Sequence, residues 1–187
     1  NIEGAGAIDG ESPQDADRRP VIADAGATSS GERMPSFIGM TMTEALEKIV
    51  RRFRGSDKQT RLELLLHYSK KLPALPERFH MARDQGINRV PECQSPVFLF
   101  MEREGDGVVL YADAPPEAPT VRGFVSLLIK GLNGAPPAAV TELPGDLLDQ
   151  LGLTEALGMT RMHGLTAMVG RIKRMAAELG SSEPSQT

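Results

Sequence analysis

Apolar residues recur at helical spacing where the chain first shows a regular pattern. Thr43 is predicted to cap a helix that runs to about Arg52, because its hydroxyl can accept a backbone N–H and acidic residues follow in the first turn. After Asp57, leucines spaced three and four residues apart predict a second helix as far as Leu72, where Pro73 ends it. The two helices are expected to form a hairpin.

Two later apolar runs have the composition of strands. Residues 97–101 and 108–112 are rich in valine, leucine and aromatic side chains, and the turn-forming run 102–107 separates them. An antiparallel hairpin is therefore predicted, preceded by a short helix that begins at Pro76. Because both strands carry apolar residues at adjacent positions, we expect helices to cover both faces.

The pattern becomes helical again after Ala118. Apolar residues recur every three or four positions until Gly131 or Gly134, and either glycine can end the helix. Further helices are predicted at 136–142, at 144–151, and from about Arg161 or His163 to Leu179. The order of helices, hairpin and helices predicts an α+β fold with a small antiparallel sheet flanked by helices.

Both ends of the chain lack a sustained pattern. Residues 1–35 are rich in Gly, Ala, Asp, Ser and Pro and hold too little apolar surface to offset the entropy of ordering. The sequence therefore predicts a disordered segment at 1–35, one domain at 36–179 and a disordered tail at 180–187.

Composition indicates an ordinary soluble domain. Of the 187 residues, 40% are hydrophobic, and no apolar run approaches the roughly 20 residues that cross a bilayer. The N-terminus shows no basic stretch followed by an apolar one, so neither export nor a membrane partner is expected. The single cysteine agrees with a reducing, cytoplasmic location.

Charge is distributed unevenly along the chain. Residues 51–89 hold ten basic and four acidic side chains, whereas residues 102–157 hold three basic and nine acidic ones. The basic positions alternate with the apolar spacing of amphipathic helices, which favours solvated helix faces. A nucleic-acid-binding regulatory module is the alternative, but interleaved aromatic residues and a recognition motif are missing, so no nucleic-acid partner is expected.

Cys93 is the only cysteine, so it can form no internal disulfide. A lone cysteine is often a small buried apolar residue. Here its neighbours Pro91, Glu92, Gln94 and Ser95 are loop residues, and loops held by a rigid sheet often carry functional groups. Cys93 is therefore a candidate nucleophile or carrier.

A reactive cysteine needs help to ionise, since the thiolate is the competent form. Arg161 and Arg122 are candidate cations, whereas Glu92 next to the sulfur opposes ionisation. A cysteine hydrolase or thiol oxidoreductase would need a histidine base or a second cysteine. Nothing in the spacing of the three histidines marks a base or a metal site; they are His67, His80 and His163.

Five segments in order resemble the SufE family of sulfur-acceptor proteins, particularly its actinobacterial members. The similarity covers roughly residues 40–177. The segments are Leu72-Pro73-Ala74-Leu75-Pro76-Glu77, Val90-Pro91-Glu92-Cys93-Gln94-Ser95-Pro96-Val97, Glu117-Ala118-Pro119-Thr120-Val121-Arg122-Gly123, Leu151-Gly152-Leu153 and Thr160-Arg161-Met162-His163-Gly164-Leu165-Thr166-Ala167-Met168-Val169.

The resemblance implies a sulfur carrier for iron–sulfur cluster assembly. A SufS-like cysteine desulfurase, which uses pyridoxal phosphate, would pass persulfide sulfur to Cys93 and be stimulated by doing so. The sulfur would then go toward a SufBCD-like scaffold complex. This chain would bind no cofactor or metal itself and would act as a sulfurtransferase-like co-catalyst without independent turnover. Its fold would be that shared with IscU-type scaffolds.

The resemblance also assigns supporting roles near the thiol. Gln94 and Ser95 would donate hydrogen bonds around the sulfur, and Arg161 would stabilise anionic sulfur or contact the partner. This chain has Glu92 where many members have glycine, and Glu117 where many have aspartate. A rhodanese-type persulfide donor is therefore an alternative to the desulfurase.

Overall fold

The structure is a computed structural model that describes residues 42–181. Its elements are α1 (Glu44–Arg54), α2 (Lys58–Ser69), a 3₁₀ turn (Glu77–Phe79), α3 (His80–Asp84), β1 (Phe98–Glu104), β2 (Gly107–Asp113), α4 (Pro119–Leu132), α5 (Pro137–Thr141), α6 (Leu147–Gln150), α7 (Leu153–Ala156) and α8 (Met159–Ser181). This order confirms the predicted α+β class.

The first two helices form as their capping residues predict. The Thr43 hydroxyl accepts the backbone N–H of Leu46 at 3.0 Å, and the Asp57 carboxylate accepts that of Thr60 at 2.9 Å. Helix α2 ends at Ser69 rather than at the predicted Leu72. A turn follows it, in which the N–H of Lys71 donates to the carbonyl of Tyr68.

The hairpin pairs Phe98 with Asp113 and Glu104 with Gly107, so its turn contains only two residues. The strands are thus longer than predicted, because the charged residues after Met101 continue β1 on the exposed part of the hairpin. One face packs against α4 and α8. The other is covered by the 3₁₀ turn, where the rings of Phe79 and Phe100 stack with centroids 4.6 Å apart.

The outer edge of β2 is paired with the segment that follows α4. Val108 donates its N–H to Ala135, and Gly134 donates its own to Val108, at 2.9 and 2.8 Å. Gly134 has φ of +83°, which confirms it as the residue that turns the chain after α4, whereas Gly131 lies inside that helix. These bonds satisfy an otherwise open strand edge.

The helices after the hairpin follow the predictions with three differences. Helix α6 spans only Leu147–Gln150, so the helix predicted at 144–151 is shorter than expected and does not begin at Pro144. Helix α7 was not predicted, and it begins after Gly152, whose φ of +63° suits glycine. Helix α8 begins at Met159, before the predicted start, and ends at Ser181 rather than at 179. The predictions for residues 1–35 and for 182–187 lie outside the described residues.

The core lies between the helices and one face of the hairpin. Helix α4 packs against α1 and α2, and α8 packs against α5 and β1. Its largest fully buried side chains are Phe53, Phe124, Leu46, Leu65, Leu99, Leu110, Leu127, Leu128, Leu132, Leu143, Leu147 and Leu151. Within residues 42–181, no helix is long and apolar enough to span a membrane.

Candidate functional site around Cys93

Cys93 lies at the tip of a loop that enters β1; we call residues 90–97 the cysteine loop. The N–H of Val90 donates to the carbonyl of Val97 at 2.8 Å, and that of Leu99 donates to Asn88 at 3.1 Å. At the tip, the N–H of Cys93 donates to Val90 at 3.2 Å. The loop therefore has a hydrogen-bonded base and a tight tip, as its polar and proline-rich sequence indicates.

The Cys93 thiol points inward, toward α8. The residue is only 6% exposed, and its Sγ lies 3.6 Å from the carbonyl oxygen of Gly164, to which the S–H donates. A Cβ placed on Gly164 would lie 3.1 Å from that sulfur and 3.4 Å from the carbonyl oxygen of Glu92. Glycine at position 164 thus lets the loop tip approach the helix closely.

A cavity of about 360 Å³ opens beside the loop tip, between the cysteine loop, the start of α4 and the start of α8. Its walls are formed by Glu92, Cys93, Gln94, Ser95, Glu117, Ala118, Pro119, Thr120, Val121, Thr160, Arg161, Gly164 and Leu165. Three of the five segments that carry the family resemblance therefore meet at this cavity.

The resting environment disfavours the thiolate. Burial raises the pKa of the Cys93 thiol to about 11, and the neighbouring negative charge of Glu92 acts in the same direction. Since only the thiolate is a strong nucleophile, about one thiol in a thousand is reactive near pH 8 in this conformation. In this closed conformation of the loop, Cys93 is buried and protonated, and the thiol is therefore protected from reaction.

Four of the predicted supporting residues line the cavity with Cys93, and one does not. Glu92, Gln94 and Arg161 are exposed on its walls, and Ser95 is half-buried there. The Arg122 side chain instead donates to the backbone carbonyls of Ser69, at 3.0 Å, and Ala114. Arg122 therefore joins the end of α2 to the segment after β2 and is not brought to the thiol.

None of the three histidines is on the walls of this cavity. His80 shares a hydrogen bond of 2.9 Å with the carbonyl of Leu75, His67 packs edge-on against Tyr68, and His163 is exposed on α8. A histidine base next to Cys93 is thus absent from the described walls, which disfavours the hydrolase alternative. Across residues 42–181, no cluster of His, Cys, Asp and Glu side chains is placed to hold a metal ion.

Several basic side chains of residues 51–89 form ion pairs with carboxylates. Arg78 donates to both oxygens of Glu102, at 3.1 and 2.6 Å. Arg83 pairs with Asp84 at 2.9 Å, and Arg61 pairs with the carboxylate of Glu155 at 3.1 Å. These pairs neutralise part of the positive charge that a nucleic-acid-binding surface would need to contact phosphates.

Gly164 and Thr160 were not predicted as site residues. The signal for Gly164 was available, because glycine inside an apolar-striped helix is costly and needs a packing or functional reason. Thr160 carries no such signal, since an exposed threonine in the first turn of a helix is ordinary.

Glu92→Gln is expected to increase the alkylation rate of Cys93 about threefold at pH 8, because removing an exposed charge beside the thiol lowers its pKa modestly. The gain should shrink as the pH approaches 11, because a growing share of both thiols is then ionised. The measurement is the iodoacetamide rate between about pH 7 and pH 11. Glu117→Gln, the same change on the opposite wall, is the control; an equal gain there would contradict a specific effect of Glu92.

Comparisons with known proteins agree with this geometry. A model of the SufE family, the Fe–S metabolism associated domain, matches residues 47–176. An uncharacterized SufE-like protein of Mycobacterium tuberculosis is 41% identical over 134 residues, covering 71% of this chain and 92% of that protein. A SufE-like protein of Synechocystis is 40% identical over 118 residues, covering 63% and 70% respectively.

A solved structure also shares the fold. The solution structure of a hypothetical protein from Thermus thermophilus superposes with a TM-score of 0.65 and 34% identity, covering 75% of this chain and 99% of that one. The family match spans more than half of the chain and includes the cysteine loop and all three walls of the cavity. This chain belongs to the SufE family, whose domain is associated with iron–sulfur metabolism.

Proposed function

We propose that this protein accepts persulfide sulfur on Cys93 from a cysteine desulfurase, stimulates that enzyme and passes the sulfur on to iron–sulfur cluster assembly. One observation carries the proposal: the only cysteine of a SufE-family chain lies at the tip of a loop, over a cavity open to solvent. A thiol without a second cysteine cannot resolve a persulfide into an internal disulfide, so it can hold the sulfur.

The transfer is an exchange between sulfur atoms. The Cys93 thiolate attacks the terminal sulfur of the donor persulfide, a new S–S bond forms at Cys93, and the donor cysteine leaves as its thiolate. The terminal sulfur keeps its proton, and no external oxidant is consumed. The donor enzyme and its pyridoxal phosphate supply the sulfur, so this chain acts as acceptor and carrier.

The buried thiol must leave its resting position to react. The Sγ atom faces Gly164 and carries a raised pKa, so a donor persulfide cannot reach an ionised sulfur there. Outward movement of the cysteine loop would expose the thiol and remove the burial that raises its pKa. A partner that binds the exposed loop conformation shifts the equilibrium toward it.

Arg161 is the cation of the cavity wall. Because its side chain is exposed at the start of α8 and takes part in none of the ion pairs described for residues 42–181, it can approach anionic sulfur at the loop tip. Gln94 and Ser95 supply further polar groups beside the sulfur. We assign Arg161 to stabilising the sulfur anion during transfer, and Gln94 and Ser95 to hydrogen bonding around it.

Incubation with a cysteine desulfurase and L-cysteine is expected to add one sulfur atom to Cys93 and to accelerate sulfide release. Intact-protein and peptide mass spectrometry locate the added sulfur. Cys93→Ser should carry no adduct and give no stimulation, since it lacks the acceptor atom. Equal stimulation by Cys93→Ser, or sulfur on no residue, would overturn the proposal.

Two further arms of the same experiment refine it. Arg161→Gln should load about tenfold more slowly, the size of effect that loss of one charge-assisted contact produces, while Arg174→Gln on the exposed side of the same helix should load normally. A rhodanese with thiosulfate replaces the desulfurase in the second arm. Loading only in that arm would identify a rhodanese-type donor in place of the desulfurase.

A further inference from the structure

Helix α8 contacts the tip of the cysteine loop and also Asn88, two residues before the loop begins. Near the tip, the carbonyl of Gly164 lies beside the Cys93 sulfur. At the base, Arg171 donates from Nη2 to the side-chain oxygen of Asn88 at 3.0 Å. The two helix residues are seven positions apart, which places them on one face about 10 Å apart along the axis.

Asn88 is where the chain turns into the loop. Its φ is +62°, a left-handed conformation that asparagine tolerates better than most residues. Its carbonyl accepts the N–H of Leu99, and the next residue, Arg89, forms an isolated bridge with Phe98. A side chain that holds Asn88 therefore holds the whole base of the loop.

Part of the Arg171 guanidinium is buried in an unfavourable environment. Its Nε is buried and has no hydrogen-bond partner among the described residues. A buried donor without a partner is unfavourable, so the position needs a compensating interaction. The bond from Nη2 to Asn88 supplies one, and it joins α8 to the loop across 83 positions of sequence.

We propose that the Arg171–Asn88 hydrogen bond anchors the base of the cysteine loop, so that only residues 90–97 move when the Cys93 sulfur separates from Gly164. Arg171 is thereby a positioning residue for Cys93, acting through Asn88. With a fixed base, the tip returns the sulfur to the same place after each excursion. The benefit to sulfur transfer rests on the proposed function, whereas the anchoring itself does not.

The test uses the thiol reactivity of the full chain without any sulfur donor. Arg171→Met removes the donor but keeps an apolar stem, and Asn88→Gly removes the acceptor but keeps the positive φ. Each is expected to raise the iodoacetamide rate of Cys93 about tenfold at pH 8 and to shift the pH profile of the rate to lower pH, because the unanchored loop exposes the thiol.

A double-mutant cycle separates anchoring from general loosening. If the two residues act through one bond, the double variant reacts no faster than either single variant. Arg174→Met, the same substitution on the exposed side of α8, should react like the wild-type chain. Asn88→Asp, which retains an oxygen acceptor for Arg171, should restore the slow rate.

Three results would overturn the proposal: wild-type rates in Arg171→Met and Asn88→Gly, additive effects in the double variant, or acceleration by Arg174→Met equal to that by Arg171→Met. If Arg171→Met lowers the melting temperature strongly, the alkylation rates of Asn88→Gly and Asn88→Asp are compared instead, at one temperature below both unfolding transitions. Equal rates in these two variants would then overturn the proposal. Because alkylation needs no persulfide, failure of the sulfur-acceptor proposal would leave these outcomes unchanged.

Discussion

Gly123→Ala is expected to destabilise the fold by about 3 kcal/mol and to lower the melting temperature by about 10 °C. Gly123 lies on α4 where that helix crosses α2, and a Cβ added to it would lie 2.1 Å from the carbonyl oxygen of Leu65. That atom belongs to the backbone of α2, so it cannot rotate away, and the helices would have to separate. Alanine's better helix propensity, about 1 kcal/mol, offsets only part of this cost.

Two other glycines provide controls for Gly123→Ala. At Gly131, also in α4, a new Cβ would lie 2.9 Å from the Cδ1 atom of Leu46, a side-chain atom that can move, and 3.2 and 3.4 Å from its Cβ and Cα atoms, which need only a small shift of α1. Gly131→Ala should therefore cost less. At Gly170 in α8, the nearest atom is the exposed guanidinium of Arg174 at 3.6 Å, so Gly170→Ala should stabilise the helix slightly. Thermal and urea unfolding of the three variants measure the series; equal losses in all three would contradict the crossing argument.

The position of Gly123 also affects the candidate site. Helix α4 begins at Pro119, and its first residues form one wall of the cavity beside Cys93. Separating α4 from α2 would shift that wall. Close packing of α4 on α2 thus explains the glycine at the end of segment 117–123, whereas the residues at the beginning of that segment line the cavity beside Cys93.

Local patterns were sufficient to predict most of the elements. The capping hydroxyl of Thr43 and the capping carboxylate of Asp57 act within one helical turn, so the sequence shows them directly. The strands were predicted from their apolar runs. The end of α4 was narrowed only to Gly131 or Gly134, and the structure places the turn at Gly134. Helix α7 was missed because a helix of four residues is too short to show a period.

Contacts between distant segments could not be predicted in the same way. The sequence placed Cys93 on a loop, but it did not show that the sulfur packs on Gly164, 71 positions away. Arg122 had the charge expected of a residue that stabilises a thiolate, yet two backbone carbonyls from other elements bind it. Which cation reaches the site depends on the tertiary packing of α4 and α8, which no local spacing encodes.

Gly164→Ala is expected to raise the alkylation rate of Cys93 more than tenfold at pH 8 and to lower its pKa from about 11 toward 9. The added Cβ would lie 3.1 Å from Sγ, closer than most carbon contacts, so the loop tip must move outward. Outward movement reduces burial, which is the larger cause of the raised pKa. The pH profile of the iodoacetamide rate measures both changes.

The fold itself should tolerate Gly164→Ala. Overpacking costs about 1–3 kcal/mol, and the helix propensity of alanine returns about 1 kcal/mol, so the melting temperature should fall only slightly. Gly170→Ala is the matched control, since it makes the same change on α8 away from the sulfur and should leave the thiol rate unchanged. A wild-type pH profile in Gly164→Ala would show that Gly164 does not determine the buried position of the Cys93 sulfur.

The same variant separates protection from transfer. If the closed loop shelters a persulfide on Cys93, Gly164→Ala should accept sulfur from the desulfurase at least as fast as the wild-type chain, yet lose it faster to dithiothreitol, because the outer sulfur is more exposed. Mass spectrometry of the loaded protein over time measures that loss. Faster loading with an unchanged persulfide lifetime would mean that Gly164 controls only the approach of the thiol, and that the persulfide is protected by the partner.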